Sequence, residues 1–171
     1  MGWVLAFCLS VVSLWGVELH VKTFKAHFKQ VVIGEGPINP VYEGELFAKI
    51  PDAAKWVYNK PSKKEIYMRD NHVLVYEPRL MQATLTKLDQ SLDLFTILKK
   101  AKLQKDGRYK TKVKGTTYYF TLQDQLPHTL EFKDKLHNKV EITFSAIQTD
   151  MPLEDSMFIF TLPQGVDLVR Q

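Results

Sequence analysis

Residues 42–82 read YEGELFAKIPDAAKWVYNKPSKKEIYMRDNHVLVYEPRLMQ, and this stretch decides the fold. Val41 to Ile50 alternates, with Tyr42, Gly44, Leu46, Ala48 and Ile50 on one parity and Glu43, Glu45 and Lys49 on the other. Successive side chains of a strand point to opposite faces, so the pattern predicts a strand covered on one side only. Pro51 has no N–H to give a ladder and ends it. Lys55 to Asn59 repeats the alternation with Trp56 and Tyr58 on one face. After the Pro61-Ser62 turn, Glu65 to Arg69 sets Ile66 and Met68 inward. Asp70-Asn71 is tight-turn chemistry, and Val73 to Tyr76 is a more uniformly apolar strand. Short strands with turns this close together predict an antiparallel meander with one apolar face.

The same grammar extends outward. Thr23 to Ile33 places Phe24, Ala26, Phe28 and Gln30 opposite Lys25, His27 and Lys29, and Gly34-Glu35-Gly36-Pro37 ends it as a turn. The period then changes. Ser91 is placed as an N-cap before Leu92, Leu94, Phe95, Ile97 and Leu98, which recur at helical spacing up to Lys99-Lys100. A short helical piece over Ala83 to Lys87 is a further option. Strands resume over Arg108–Val113, Thr116–Leu122, Thr129–Lys133, Val140–Ile147 and Ser156–Leu162. No repeat or linker interrupts the series, so residues 17–171 are read as one domain.

At 171 residues, 45% hydrophobic and 25% charged, the chain has the composition of a globular protein able to bury a core without staples. The net charge of +4 is scattered except for a dense basic run from Lys99 to Lys114. That run reads first as a solvated helix end and hairpin, and second as a docking surface for anionic lipid or an acidic partner. Nucleic acid is not expected, because no binding motif is present and aromatic residues do not interleave with the basic run. The first sixteen residues carry no charge, and Trp3 to Trp15 is almost entirely apolar. That length is short for a bilayer span and suits the hydrophobic region of a signal peptide, although a basic residue ahead of it is missing. Leu14 and Gly16 fit a cleavage site, giving residues 1–16 as leader, with a membrane anchor or a buried core segment as the alternatives. Cys8, the single cysteine, follows Phe7, a poor context for lipid attachment, and cleavage would leave a product without a thiol.

The ordered set from Phe24 to Val169 resembles the LolA family of periplasmic lipoprotein carriers. The resemblance rests on the Phe24, Ala26, Phe28, Gln30 strand, on Gly44-Glu45-Leu46 leading to Lys49 and Pro51, and on Trp56, Tyr58 and Pro61. It continues through Leu74, Tyr76, Pro78 and Gln82 to Phe158, Phe160, Pro163, Gly165 and Val166. It implies a mainly β fold with a few α elements: a curved antiparallel sheet forming an incomplete barrel, covered by helices, with a hydrophobic cavity between them. It implies a non-catalytic, cofactor-free and monomeric carrier in the periplasm of a Gram-negative bacterium. The implied partners are acylated lipoproteins, an inner-membrane lipoprotein-releasing ABC transporter and an outer-membrane receptor similar to LolB. Two departures stand out. Family members commonly carry an Arg where this chain has Ile50, so the family's account of lid closure does not transfer. The family's N-terminal helix must also be very short here, over residues 17–22, or absent.

A site for acyl chains needs a concave apolar wall and a movable cover. At about 0.8 kcal/mol per methylene, ten buried methylenes give roughly 8 kcal/mol, near micromolar affinity. The expected wall is Leu46, Ile50, Trp56, Tyr58, Ile66, Met68 and Leu74, and the expected lid is Leu94, Phe95, Ile97 and Leu98. Each of these taken alone reads more simply as core, and only the resemblance makes them a cavity. Enzymatic readings fare poorly. His20, His27, His72, His128 and His137 are scattered, and the i, i+2 pair Glu43 and Glu45 reads as a solvated face beside Lys49. The alternatives kept open are a related half-barrel that senses or stores lipid without relaying it, and a secreted hydrolase or structural domain.

Overall fold

A computed structural model describes residues 21–87 and 94–171. The expected leader over 1–16, residues 17–20 of the short helix expected over 17–22, and the proposed cap at Ser91 and Leu92 lie outside the described residues; Val21 and Lys22 are not helical. The alternation in the sequence is realised as β1 (Thr23–Ile33), β2 (Val41–Lys49), β3 (Ala53–Lys60), β4 (Lys64–Arg69), β5 (His72–Glu77) and β6 (Gln82–Lys87). After α1 (Leu94–Lys99) come β7 (Lys102–Leu103), β8 (Tyr109–Val113), β9 (Thr116–Gln123), β10 (Leu126–Lys133), β11 (Lys139–Thr149) and β12 (Asp167–Arg170).

All twelve strands form one sheet in the order β12-β6-β5-β4-β3-β2-β1-β11-β10-β9-β8-β7. Its two ends do not pair with each other, so it is an open, incomplete barrel. Neighbours are antiparallel except β12, which runs parallel to β6. Three hairpins close in two residues that both take positive φ: Asp70-Asn71, Lys114-Gly115 and Asp124-Gln125. Such turns match the right-handed twist of the flanking strands. Bulges interrupt the register between Lys25 and His27, between Glu43 and Gly44, and between Pro127 and Thr129. Each adds local twist and bends the sheet. The bend brings Trp56 on β3 and Phe144 on β11 to 6.3 Å between rings. Those strands are three places apart in the sheet, about 14 Å on a flat one.

The structure corrects the reading of several segments. Ala83–Lys87 is strand rather than helix, part of β6. The segment 156–162 is not a strand: Asp155–Phe158 is a 3₁₀ turn, and the chain after it lies on the convex face. Phe158 is buried there with Ala53 and Leu153, beside Phe47 and Met157. Phe160 sits 5.4 Å from Tyr67 and 5.1 Å from Tyr76, ring to ring. Its spacing from Phe158 mimics strand alternation because the tail alternates between sheet and solvent. The last strand is instead β12, delivered by this tail to the free edge of β6. The tail is fastened by Lys49, whose Nζ donates to the Leu153 carbonyl at 2.9 Å and to Asp155 Oδ1 at 2.8 Å. Helical cover is also less than expected: α1 has six residues and is the only α-helix among the described residues.

Candidate functional site

Cross-strand register sorts the concave face into rows, because directly paired residues share a side. One row runs Ala26, Leu46, Trp56, Ile66 and Val75 across β1 to β5. The next runs Phe24, Ala48, Ala54, Met68 and Val73. A third runs Phe28, Gly44, Tyr58 and Lys64. Small residues (Ala26, Gly44, Ala48 and Ala54) make the floor, and rings stand over it. Phe28 meets Trp56 at 5.0 Å and Tyr58 at 4.9 Å, both edge to face. Gly44 is dictated by contact rather than by φ. A Cβ there would lie 2.0 Å from the Val57 carbonyl oxygen and 2.8 Å from two atoms of the Phe28 ring.

Leu46, Ile50, Trp56, Tyr58, Ile66 and Met68 lie together in or against one apolar cluster. Leu46 and Tyr58 are buried; Ile50, Trp56, Ile66 and Met68 are only half-buried. Leu74 does not join them. It pairs with Tyr67 on β4 and Leu85 on β6, which places it on the convex face. The β5 strand is apolar on both sides because Val73 and Val75 face the trough while Leu74 and Tyr76 face the side crossed by the tail. Parity alone could not choose. Of the expected lid, Phe95, Ile97 and Leu98 are buried in the same cluster as the wall, together with Ala101. The side chain of Leu94 lies outside the described portion.

Half of the concave face was missed by the sequence reading. Val113, Tyr118, Phe120, Leu130, Val140, Ile142 and Phe144, from β8 to β11, line the opposite flank of the same cluster. The alternation Tyr118, Phe120, Leu122 carries the same signal that identified β2, and it would have found them.

One end of the trough is polar. Tyr58 donates its hydroxyl to Gln30 Oε1 at 3.0 Å. Burial pushes the phenol up to about 12, with Tyr42 beside it adding to the shift. Lys64 Nζ lies 4.4 Å from the Tyr58 ring centre and 5.8 Å from that of Tyr42, a cation held on aromatic faces. The charged parity lies outside. Glu43 accepts from Lys60 at 2.8 Å, a hydrogen bond that holds its carboxyl below the usual range, and Glu45 sits 3.5 Å from Lys25 and 3.7 Å from His27. Each glutamate thus has its own cation on the solvent side, an arrangement of a solvated strand face rather than of an acid and base facing a substrate. No helix among the described residues is long and apolar enough to cross a membrane.

The chain has relatives among known proteins. The family model described as outer membrane lipoprotein carrier protein LolA matches residues 19–129. An outer-membrane lipoprotein carrier protein of Helicobacter pylori (strain HPAG1) is 49% identical over 153 residues, covering 89% of this chain and 82% of that protein. The protein so named in Campylobacter jejuni is 30% identical, covering 97% of both chains. Among solved structures, an uncharacterized conserved protein from Thermus thermophilus superposes with a TM-score of 0.55 at 12% identity, covering 89% of this chain and 92% of that one. That last likeness concerns the fold.

Proposed function

The chain belongs to the LolA family of outer-membrane lipoprotein carriers, and from that premise we propose that its concave trough holds the acyl chains of lipoproteins in transit. The protein is a lipoprotein chaperone; the trough as the acyl site, and the partners on either side, are our reading. The observation that carries it is the uneven cover of the wall. Ile50, Trp56, Ile66 and Met68 are packed on the core yet only half-buried, an apolar strip with room to be covered further. Burying such side chains fully contributes about 1.5–3 kcal/mol each, so a ligand with no polar specificity gains by lying along them. The Phe95, Ile97 and Leu98 face of α1 is the cover that yields. With the periplasm as its compartment, the protein accepts cargo from an inner-membrane ABC transporter and passes it to the outer membrane, to a receptor where one exists. It acts as a monomer and without catalysis.

The test is a release assay. Inner-membrane vesicles carrying newly acylated lipoproteins are incubated with purified protein, with recipient membranes added afterwards. Soluble complex followed by transfer supports the proposal. Lipid binding without release of lipoproteins would replace it with a lipid-sensing or lipid-storing role.

A further inference from the structure

Antiparallel order sends alternate turns of this sheet to opposite ends, and the two ends differ in chemistry. At one end lie the turns β1–β2, β3–β4, β5–β6, β8–β9 and β10–β11. Three of them carry large apolar side chains at their tips: Ile38 is 80% exposed, Leu80 64% with its neighbour Met81 47%, and Leu136 80%. The other turns at this end and two of these three carry a basic residue: Lys63, Arg79, Lys114 and Lys135. The acidic residues among these turns are Glu35 and Asp134, with exposed Asp167 beside Met81 where β12 begins, and Asp134 is occupied by its own loop. Its carboxylate accepts from the backbone N–H of Leu136 at 2.8 Å and from Asn138 N and Nδ2 at 2.9 and 3.0 Å. Every described turn at the opposite end carries an aspartate: Asp52, Asp70, Asp106, Asp124 and Asp150. Of the bases there, Lys105 and Arg108 share the β7–β8 turn, and Arg108 is paired with Asp106 at 2.8 Å.

We infer that the end bearing Ile38, Leu80 and Leu136 docks on an anionic lipid bilayer, with the three tips in the acyl boundary and the four basic side chains at the headgroups. The spacing argues for a membrane over a protein groove. At about 4.8 Å per strand, the β5–β6 and β1–β2 turns stand roughly 20 Å apart along the sheet. Tips so dispersed match a broad, deformable partner better than a single cleft. Three of the four are lysines, whose flexible ammonium ends suit diffuse anionic charge, whereas a defined carboxylate partner favours the paired geometry of arginine. The acidic turns of the opposite end would orient the approach. The docking end also holds Lys64, Tyr42 and Tyr58, the polar lip of the trough. The inference goes beyond the carrier reading and stands without it.

The experiment is cosedimentation of the purified protein with vesicles of phosphatidylglycerol and phosphatidylcholine, against phosphatidylcholine alone. Binding is expected to the anionic vesicles and to weaken with salt. Changing Ile38, Leu80 or Leu136 singly to Ser should lower partition about tenfold, and all three together should abolish it. Changing Lys63, Arg79, Lys114 and Lys135 to Gln should cost about fivefold per charge at low salt. Ile159→Ser, 58% exposed but on the convex tail, should bind as the parent does. Unfolding midpoints measured alongside should not move for any of these variants. The inference is overturned if the parent ignores protein-free anionic vesicles and binds only membranes bearing a receptor. It is equally overturned if the triple Ser variant binds as well as the parent, or if Ile159→Ser loses as much.

Discussion

Gly44→Ala tests the packing of the trough floor at its tightest point. Gly44 pairs with Phe28 on one side and Tyr58 on the other, next to the bulge at Glu43. The added Cβ would sit 2.0 Å from the Val57 carbonyl oxygen, which is backbone and cannot swing away. It would also sit 2.8 Å from the Phe28 ring, so the ring must leave its place over the glycine. Displacing it breaks the two edge-to-face contacts with Trp56 and Tyr58, worth roughly 0.5–1.5 kcal/mol each. Overpacking of a core position adds about 1–3 kcal/mol. The expected loss is therefore about 4 kcal/mol, a large part of the roughly 5–15 kcal/mol that holds a domain folded.

The assay is urea unfolding with linear extrapolation, paired with thermal melts. For a chain of this size the loss corresponds to roughly 8–16 °C in Tm. Gly36→Ala is the internal reference: nothing lies within 4 Å of where its new methyl would stand, and it should stay within about 0.5 kcal/mol. A double-mutant cycle with Phe28→Ala isolates the ring, since the two costs should fall short of additivity by about 1 kcal/mol or more, as coupled neighbours do. A Gly44→Ala protein within about 1 kcal/mol of the parent would refute the reasoning.

Other outcomes follow from single contacts. The raised Tyr58 phenol, at about 12 against 10.0 ordinarily, binds its proton more tightly folded than unfolded, so its contribution is complete below pH 10 and is lost as pH rises through 12. Urea midpoints followed from about pH 9 to about pH 12 should fall less steeply in Tyr58→Phe than in the parent. Phe160→Ala removes the ring resting on Tyr67 and Tyr76; a loss of about 1–3 kcal/mol is expected, with hydrogen exchange quickening first in Asp167–Arg170. Ile50→Arg should change how long cargo is retained without unfolding the chain, because the backbone there is held independently by Ile50 N–H to the Lys22 carbonyl at 3.0 Å. Unchanged retention in the release assay would make Ile50 a packing residue only.

The strands whose two faces differ were legible in the sequence, and those whose faces are alike were not. In β1 to β4 charged residues such as Lys25, Lys29, Glu43, Glu45, Lys55, Glu65 and Arg69 mark the outer side, so Leu46, Trp56, Ile66 and Met68 can be assigned inward from parity. Leu74 could not, because the tail makes the convex side of β5 apolar as well. The tail carries a strand's period in Phe158 and Phe160, since an extended segment lying on a sheet has the same period as one paired within it. The parallel pairing of β12 with β6 joins Asp167 to Gln82, a contact between distant segments that no local pattern encodes. The flank formed by β8 to β11 carries a clear alternation that predicts strands, but alternation alone does not say that their apolar side faces the same trough.

The two faces of this sheet present the same physical problem with different solutions. A curved sheet with apolar residues on both sides must cover both. The convex side is covered by the chain's own tail, fixed through Lys49 to Leu153 and Asp155 and ended by β12. The tail runs on the side opposite the trough, so a change in what the trough holds would leave the packing of the convex face untouched. On the concave side α1, six residues and about 9 Å long, packs into the cluster but leaves Trp56, Ile66 and Met68 half-buried. If the trough is the acyl site proposed above, a cover fastened on one face and short on the other would separate a stable scaffold from a replaceable occupant.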